Sequence, residues 1–241
     1  MIKDKTKLLE RRITMEVKGR HEFKHHINIG DYQLLRSKLA VFMDKDSHTN
    51  ENGQYHIRSL YFDNDYDKIL YEKLDGVDNR DKFRIRIYNL NDNIINLEKK
   101  SKRNGLCFKS SVNITKEETL KIINGDIQWL KNSEKELLKE LYSVMLSQRI
   151  KPKTIVDYQR EVYVYSAGNV RITFDMDIRT AIHSLDIFDK NLVTVPIHYD
   201  HYMVLEIKYD DFIPEHIAKL VQLGNRRNTT NSKYMLSRIY G

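Results

Sequence analysis

The sequence predicts an α+β fold in which a closed antiparallel eight-stranded β-barrel is covered by helices packed on its outside. Three observations lead to this prediction. Charged side chains recur at every second residue in several segments, which is the period of a β-strand. The strand-like segments mostly follow one another as neighbours, as strands of an antiparallel sheet do. The helical segments carry single apolar stripes, which are typical of helices that cover a sheet.

The clearest alternation lies in the middle of the chain and predicts three consecutive strands. In the first strand, Lys82, Arg84 and Arg86 alternate with apolar residues. In the second, Glu98 and Lys100 share a face. The ordinary interpretation of such strands is a basic outer face in contact with water. The same alternation returns in distant segments, however, and this favours one shared charged interior.

The remaining strands are predicted from alternation and from β-branched and aromatic residues. They cover residues 15–27, 55–63, 154–165, 170–178 and 203–209, with a weaker candidate at 192–195. Pro152 is expected to interrupt the chain before the strand at 154–165. Gly168 and Asn169 form a turn, so the two strands around them should make a hairpin.

Helices are predicted where start signals precede an apolar stripe. Gly30 and Asp31 open a helix that ends near Met43, and a short helix covers residues 65–74. Two capping boxes, Thr115 with Glu118 and Ser133 with Glu136, begin the next two helices. Pro214 starts another helix, and the last one covers residues 232–240.

The composition limits the class of protein. The chain has 241 residues, a formal net charge of +7 and one cysteine. The positive charge favours an anionic partner, which leaves nucleic acid, an anionic membrane and a phosphorylated small molecule open. One cysteine excludes an intrachain disulfide framework. The chain lacks both a long apolar run and a secretory signal, so we expect a cytoplasmic protein with no transmembrane segment.

The domain organisation is expected to be simple. No stretch rich in proline, glycine or serine divides the chain, and no internal repeat is visible. We therefore predict a basic N-terminal arm over residues 1–14 and one domain over residues 15–241.

The predicted barrel has a charged interior. With one inward face per strand, it encloses Arg20, Glu22, Lys24, Arg84, Arg86, Glu98, Lys100, Lys109, Arg160, Arg171, Glu206 and Lys208. Buried cations in this number require anions, because each unpaired buried charge costs several kcal/mol. A chain of phosphates can supply them through bidentate contacts to arginine and point-charge contacts to lysine.

Eight short motifs occur in a characteristic order along the chain. They are Arg20-His-Glu22-Phe-Lys24, Ser59-Leu-Tyr-Phe-Asp63, Arg84-Ile-Arg86, Leu97-Glu98-Lys-Lys100, Tyr158-Gln-Arg160, Val170-Arg171-Ile-Thr-Phe-Asp175, Leu205-Glu206-Ile-Lys208 and Ser232-Lys233-Tyr234. As an ordered set they resemble the VTC domain, the polyphosphate polymerase domain of the triphosphate tunnel metalloenzyme superfamily. Each motif alone is weak, whereas the ordered set is specific.

The resemblance implies a tunnel-shaped barrel and a Mn²⁺- or Mg²⁺-dependent transfer of the γ-phosphate of ATP to a polyphosphate chain. The implied partners are ATP and polyphosphate or another triphosphate, with no nucleic acid. Carried over by position, the catalytic residues are Lys24, Arg84, Arg86, Lys100, Arg160, Arg171 and Lys208. Lys109 and Lys233 are implied to bind substrate phosphate, and Glu206 is implied to bind the metal.

Two departures from related patterns bear on the function. The hydrolytic branch of the superfamily begins with Glu-x-Glu-x-Lys, and here Arg20 stands in place of the first glutamate. This disfavours a triphosphatase, because hydrolysis uses carboxylates to hold a second metal or to orient water. Full-length eukaryotic polymerases also carry an inositol-phosphate-sensing domain and membrane helices. This sequence shows neither, and a membrane-protein partner stays an open expectation.

Several alternatives remain at the level of sequence. A triphosphatase and a non-catalytic module that binds polyphosphate or nucleotide both fit the same tunnel. A binder of single-stranded nucleic acid would use the tyrosines for stacking, but its cations should line an exposed groove. Glu22 and Glu98 fit either metal ligation or ion pairing, and Tyr61 and Tyr158 are interpreted as structural. The histidines show no recognised zinc-ligand spacing.

Overall fold

The computed structural model describes residues 19–46, 53–181, 184–197, 203–222 and 232–240. The strands are β1 (His21–Ile27), β2 (Asp44–Lys45), β3 (Gln54–Asp63), β4 (Arg80–Tyr88), β5 (Asn91–Arg103), β6 (Leu106–Ile114), β7 (Lys151–Tyr165), β8 (Val170–Ala181), β9 (Val195–Pro196) and β10 (Met203–Tyr209). The helices are α1 (Ile29–Phe42), α2 (Lys68–Leu74), α3 (Lys116–Ile123), α4 (Glu136–Gln148), α5 (Glu215–Leu220) and α6 (Lys233–Tyr240). The predicted arm at 1–14 and the start of the first predicted strand, 15–18, lie outside the described residues.

One antiparallel sheet organises the molecule. Its main path follows the order β1-β10-β8-β7-β3-β4-β5-β6, while the two-residue strands β2 and β9 pair at the side with β7 and β8. Every ladder in it is antiparallel, which confirms the predicted antiparallel α+β class. Among the helices of the described segments, none is long and apolar enough to cross a membrane.

The prediction of a closed barrel is wrong. Within the described residues β1 and β6 are the two edges of an open sheet, and the only backbone pairing between their ends is a single bridge from Arg20, the residue before β1, to Cys107 of β6. There Arg20 and Cys107 exchange two backbone hydrogen bonds of 3.0 and 3.2 Å. Antiparallel pairing runs backwards along β6 as β1 advances, and β6 begins at Leu106. Beyond Arg20, β1 therefore passes the end of its neighbour, so no ladder can form there.

The outer face of the sheet is apolar and lies under the helices. Leu138 and Leu141 of α4 belong to one buried cluster with Ile85 of β4 and other outward-facing strand residues. Leu35 of α1 belongs to a second cluster with Phe174 of β8. Because side chains alternate between the two faces of a strand, this outward apolar packing leaves the charged residues of the same strands on the inner face.

The helix starts confirm one predicted capping box and correct the other. Thr115 and Glu118 exchange the two reciprocal bonds, of 3.1 and 2.7 Å, that start α3. The box predicted for Ser133 and Glu136 is wrong, because Lys135 is the N-cap of α4 and Glu136 is its first residue. The Ser133 hydroxyl instead accepts a bond of 3.1 Å from the Lys135 backbone N–H, within the turn before the helix.

Pro152 does not interrupt the chain as predicted, because it lies inside β7. The pairing of β7 with β3 shifts register between Tyr61 and Phe62, and Phe62 is the partner of Pro152. Proline has no N–H to donate to a ladder, and an irregularity in the pairing accommodates this loss. The strand therefore begins at Lys151.

The C-terminal helix is attached to α2 through two carboxylates. Asp63 is fully buried and accepts two backbone N–H bonds of 2.9 and 3.1 Å from the first residues of α2. It also accepts a hydrogen bond from the Tyr234 hydroxyl of α6. Arg238 of α6 donates to both oxygens of Asp67 at 3.0 Å. These contacts fix α6, and with it Lys233 at its first position.

Replacing Tyr234 with Phe should lower the free energy of unfolding by about 1.5–3 kcal/mol, because it removes a buried hydrogen bond to a carboxylate. Urea denaturation measures this loss. Tyr66→Phe is the matched control, since the Tyr66 residue is 81% exposed and its substitution should have no effect. Equal stability of the wild type and the Tyr234→Phe variant would contradict the anchoring role of this bond.

Candidate functional site

Eight of the predicted cationic residues lie on the inner face of the sheet and Lys233 reaches them from α6; we call the nine residues the interior cation cluster. It comprises Lys24, Arg84, Arg86, Lys100, Lys109, Arg160, Arg171, Lys208 and Lys233. The carboxylates that contact them are fewer, namely Glu22, Asp46, Glu98, Asp175 and Glu206. The enclosed face therefore carries a surplus of positive charge.

A contact between the two sides of the open sheet shows how strongly it curls. The Lys100 amine on β5 lies 2.6 and 2.9 Å from the two carboxylate oxygens of Glu22 on β1. Along the sheet path these strands are almost as far apart as two strands can be. An ion pair between them requires the sheet to bend until its edges face each other, so the inner face encloses a common space.

Glu98 on β5 holds the arginines of β4 in place. Its carboxylate accepts bonds of 2.6 and 2.7 Å from Arg84, lies 2.5 Å from the Lys109 amine, and is 3.8 Å from Arg86. Burial alone would raise the pKa of Glu98, but the charges of Arg84, Arg86 and Lys109 outweigh it and hold that pKa well below its usual range. Arg86 also donates to the Tyr158 hydroxyl at 2.9 Å.

Asp175 on β8 performs the same task for Arg160 and Lys233. Arg160 donates to both of its oxygens, at 2.6 and 2.8 Å, and Lys233 forms an ion pair with one of them. Burial opposes ionisation, yet the charges of Arg160 and Lys233 lower the pKa of Asp175 to about 2. Both cations also lie against the Tyr158 ring, at 5.2 and 4.6 Å from its centroid. The tyrosine and the carboxylate together fix their positions.

Glu22 and Glu206 share two lysines. The Lys24 amine is 2.7 Å from Glu22 and 3.8 Å from Glu206, while Lys208 contacts Glu206 and lies 3.8 Å from Glu22. Burial would raise the pKa of Glu206, but the charges of Lys208 and Lys24 keep it well below its usual value. Burial also lowers the pKa of Lys208 to about 8, against the opposing effect of the two glutamates.

Among the side chains around the interior cation cluster, Glu22 and Glu206 are the best suited to bind a divalent metal ion, since hard cations prefer anionic oxygen. The lysines beside them repel a cation unless phosphate oxygens arrive with it. Within the part of the chain that the structure describes, no three His, Cys, Asp or Glu side chains are grouped as a metal site. The donor set therefore fits an ion that is shared with bound phosphates.

Some residues of the predicted interior lie at its margin. Arg171 is paired with Asp46 at 2.6 Å and donates to the Tyr55 hydroxyl at 3.2 Å. The side chain of Lys109 is 53% exposed. Arg20, which was expected inside, instead pairs with Asp210 at 2.8 Å. Arg20 lies just before β1 and is bridged to Cys107 of β6, so its side chain is at the margin of the sheet.

Several contributors were not among the predicted site residues. Asp175 and Tyr158 were present in the motifs, but only the fold reveals that they position Arg160 and Lys233. Arg80 and Lys82 continue the two-residue period of Arg84 and Arg86 on β4, and this period could have identified them as inward-facing from the sequence. Lys73 lies on α2 and had no such signal.

The family model of the VTC domain matches residues 19–239. A candidate adenylyl cyclase from Hippeastrum, HpAC1, with a dominant triphosphatase activity, is 15% identical with a TM-score of 0.50, and the match covers 92% of this chain and 95% of that one. A candidate adenylate cyclase from Bacillus halodurans is 15% identical with a TM-score of 0.49, over 84% of this chain and 86% of its own. No curated protein sequence matches significantly. The likeness to the Hippeastrum structure shows a common fold.

Replacing Lys73 with Met should stabilise the protein by about 1–2 kcal/mol at pH 7, allowing for solvent screening. Burial, followed by the charges of Arg80 and Lys24, lowers the pKa of Lys73 from 10.5 to about 8. Between pH 8 and 10.5 the unfolded chain holds a proton that the folded chain releases, so this lysine makes wild-type stability rise with pH. The advantage of the variant should therefore fade across that window.

Urea unfolding of both proteins at pH 7 and pH 10 measures this difference. Comparing the two proteins at the same pH cancels the titration of groups that Lys73 does not influence. An advantage that stays constant between the two pH values would mean that it does not come from the charge of Lys73.

Proposed function

The chain belongs to the VTC domain family, and we propose that it is a metal-dependent phosphotransferase that moves the γ-phosphate of ATP onto a polyphosphate chain. The observation that carries this proposal is the interior cation cluster. Its side chains converge from strands all around the curled sheet and from the start of α6, and their carboxylate partners are too few to neutralise them. A linear polyanion is the ligand that suits this arrangement.

The arginines are prepared for phosphate before it binds. Glu98 and Asp175 each hold an arginine through two short contacts, so Arg84 and Arg160 are oriented in advance. A guanidinium retains further N–H donors after such a contact, and these match the oxygens of a phosphate. Preorganised donors of this kind stabilise the charge of the transferring group without having to rearrange.

The chemistry needs no protein nucleophile. An oxygen of the terminal phosphate of the acceptor chain forms the new bond to the γ-phosphorus, while the bond from that phosphorus to the β-phosphate oxygen breaks and ADP leaves with the electron pair. The cations neutralise charge on both sides of the transferring group. A bound Mn²⁺ or Mg²⁺ supplies further charge neutralisation at the phosphate oxygens, and Glu206, with Glu22 beside it, is the residue that would hold it.

A triphosphatase is the second candidate. It is favoured by the two glutamates that lie together between Lys24 and Lys208, and by the triphosphatase activity of the Hippeastrum protein of similar fold. Against it stands Arg20, which takes the place of a carboxylate and pairs with Asp210 at the margin. The cytoplasmic location and a membrane-protein partner stay predictions from the sequence.

The product of ATP turnover distinguishes the two activities. We expect the purified protein, with ATP and Mn²⁺, to release ADP and to form a polymer that shifts the absorbance of a metachromatic dye. Release of orthophosphate without polymer would favour the triphosphatase. Absence of ADP and of orthophosphate would contradict both enzymatic functions and leave a binding module.

The Glu206→Gln variant should slow transfer by about 10-fold or more at limiting Mn²⁺, because it removes an anionic ligand whose charged contact contributes about 1.5–3 kcal/mol. Binding of tripolyphosphate in the presence of a chelator should persist, since that binding depends on the cations. Glu136→Gln is the matched control on the outside of α4, where the glutamate side chain is 85% exposed. Wild-type turnover in Glu206→Gln would remove Glu206 as the metal ligand.

A further inference from the structure

Three cations lie together beside the interior cation cluster, and we call them the β4 cation group: Lys73, Arg80 and Lys82. Arg80 and Lys82 occupy the start of β4, in the same alternation as Arg84 and Arg86. Lys82 is paired in register with Lys100, one step along the inner face from the pairing of Arg84 with Glu98. Lys73 approaches from the last turn of α2.

This group differs from the interior cluster in its partners. Each lysine of that cluster lies within ion-pair distance of a carboxylate. In contrast, no carboxylate oxygen of a described residue lies within 4.0 Å of the charged nitrogens of the β4 cation group. The Lys82 amine contacts the Ser232 hydroxyl at 3.2 Å and lies 5.8 Å from the Tyr234 ring. Neither contact neutralises its charge.

The absence of counter-charges is unfavourable for the protein without a ligand. Burial, followed by the charges of Arg80, Lys24 and Lys73, lowers the pKa of Lys82 well below its ordinary value. Neighbouring like charges repel each other strongly where water is partly excluded. A polyanion that reaches the group would remove this repulsion, and the same side chains would then stabilise the complex.

We propose that the β4 cation group is an additional phosphate-binding subsite, which contacts units of a polyphosphate chain beyond the three phosphates held by the interior cation cluster. The inference rests on the proposed function and deepens it, because it assigns long-chain polyphosphate as the preferred polyanion. A triphosphatase would have no use for such a subsite. The three residues are partly buried, with Lys82 against Ser232 just before α6, and this suits a slender chain of phosphates better than a nucleic acid with bulky bases.

Calorimetry with two anions tests the subsite without requiring turnover. Tripolyphosphate and a long-chain polyphosphate are titrated into the wild type and into Lys82→Met in the presence of a chelator. We expect the variant to bind the long chain about 10-fold more weakly per site, because it loses one charge-assisted contact. Its affinity for tripolyphosphate should be unchanged, and its thermal stability without anions should equal or exceed that of the wild type.

The matched control is Lys139→Met, on the outside of α4, where the lysine pairs only with Glu136 on the same helix. It should bind both anions as the wild type does. Arg80→Met is a second test of the same subsite, and it tests the proposal if Lys82→Met does not fold. It too should weaken binding of the long chain alone.

The outcomes separate this inference from the proposed function. Unchanged affinity for the long chain in both variants, or an equal loss for both anions, would overturn the subsite while leaving the function in place. Failure of the wild type to bind either anion would overturn the proposed function and the subsite together. A selective loss for the long chain supports both.

Discussion

The enclosure of many like charges on one face of a curled sheet is the constraint on which this structure depends. Cations removed from water are tolerated only when counter-charges accompany them. Here five carboxylates are divided among a larger number of lysines and arginines. The remaining repulsion has to be offset by the apolar packing of helices on the outer face. The inner face is thus arranged for a ligand, and the outer face stabilises the fold.

The carboxylates act as positioning groups more than as stabilising ion pairs. Glu98 and Asp175 are almost completely inaccessible to solvent, and each is paired with more than one cation. A buried pair of this kind contributes little net stability, because the desolvation cost nearly cancels the attraction. Its main effect is to restrict the rotamers of the arginines. This restriction is useful when a phosphate has to meet several donors at once, since less conformational freedom is then lost on binding.

Strand period was enough to predict the inward-facing residues of the regular strands, because alternation is a property of the backbone itself; it failed for Arg20, which lies just before β1. Arg84, Arg86 and Lys100 could therefore be assigned from the sequence. The stagger of β1 against β6 could not be predicted, because it depends on the register of two strands far apart in the chain. For this reason the prediction of a closed barrel was wrong. Lys73 was not predicted because it lies on a helix, where no two-residue period identifies an inward-facing residue.

The uneven placement of the carboxylates gives the interior two chemically different regions. Around Glu22 and Glu206, anionic oxygens lie among lysines, and under the proposed function a dication and phosphates would bind there together. Around Lys82 the described residues supply no carboxylate within ion-pair distance, and a dication would meet only repulsion. A nucleotide with its metal and a chain of bare phosphates therefore differ in where they fit best. The direction in which a polyanion lies along the sheet would follow from this asymmetry of charge, without any recognition of its ends.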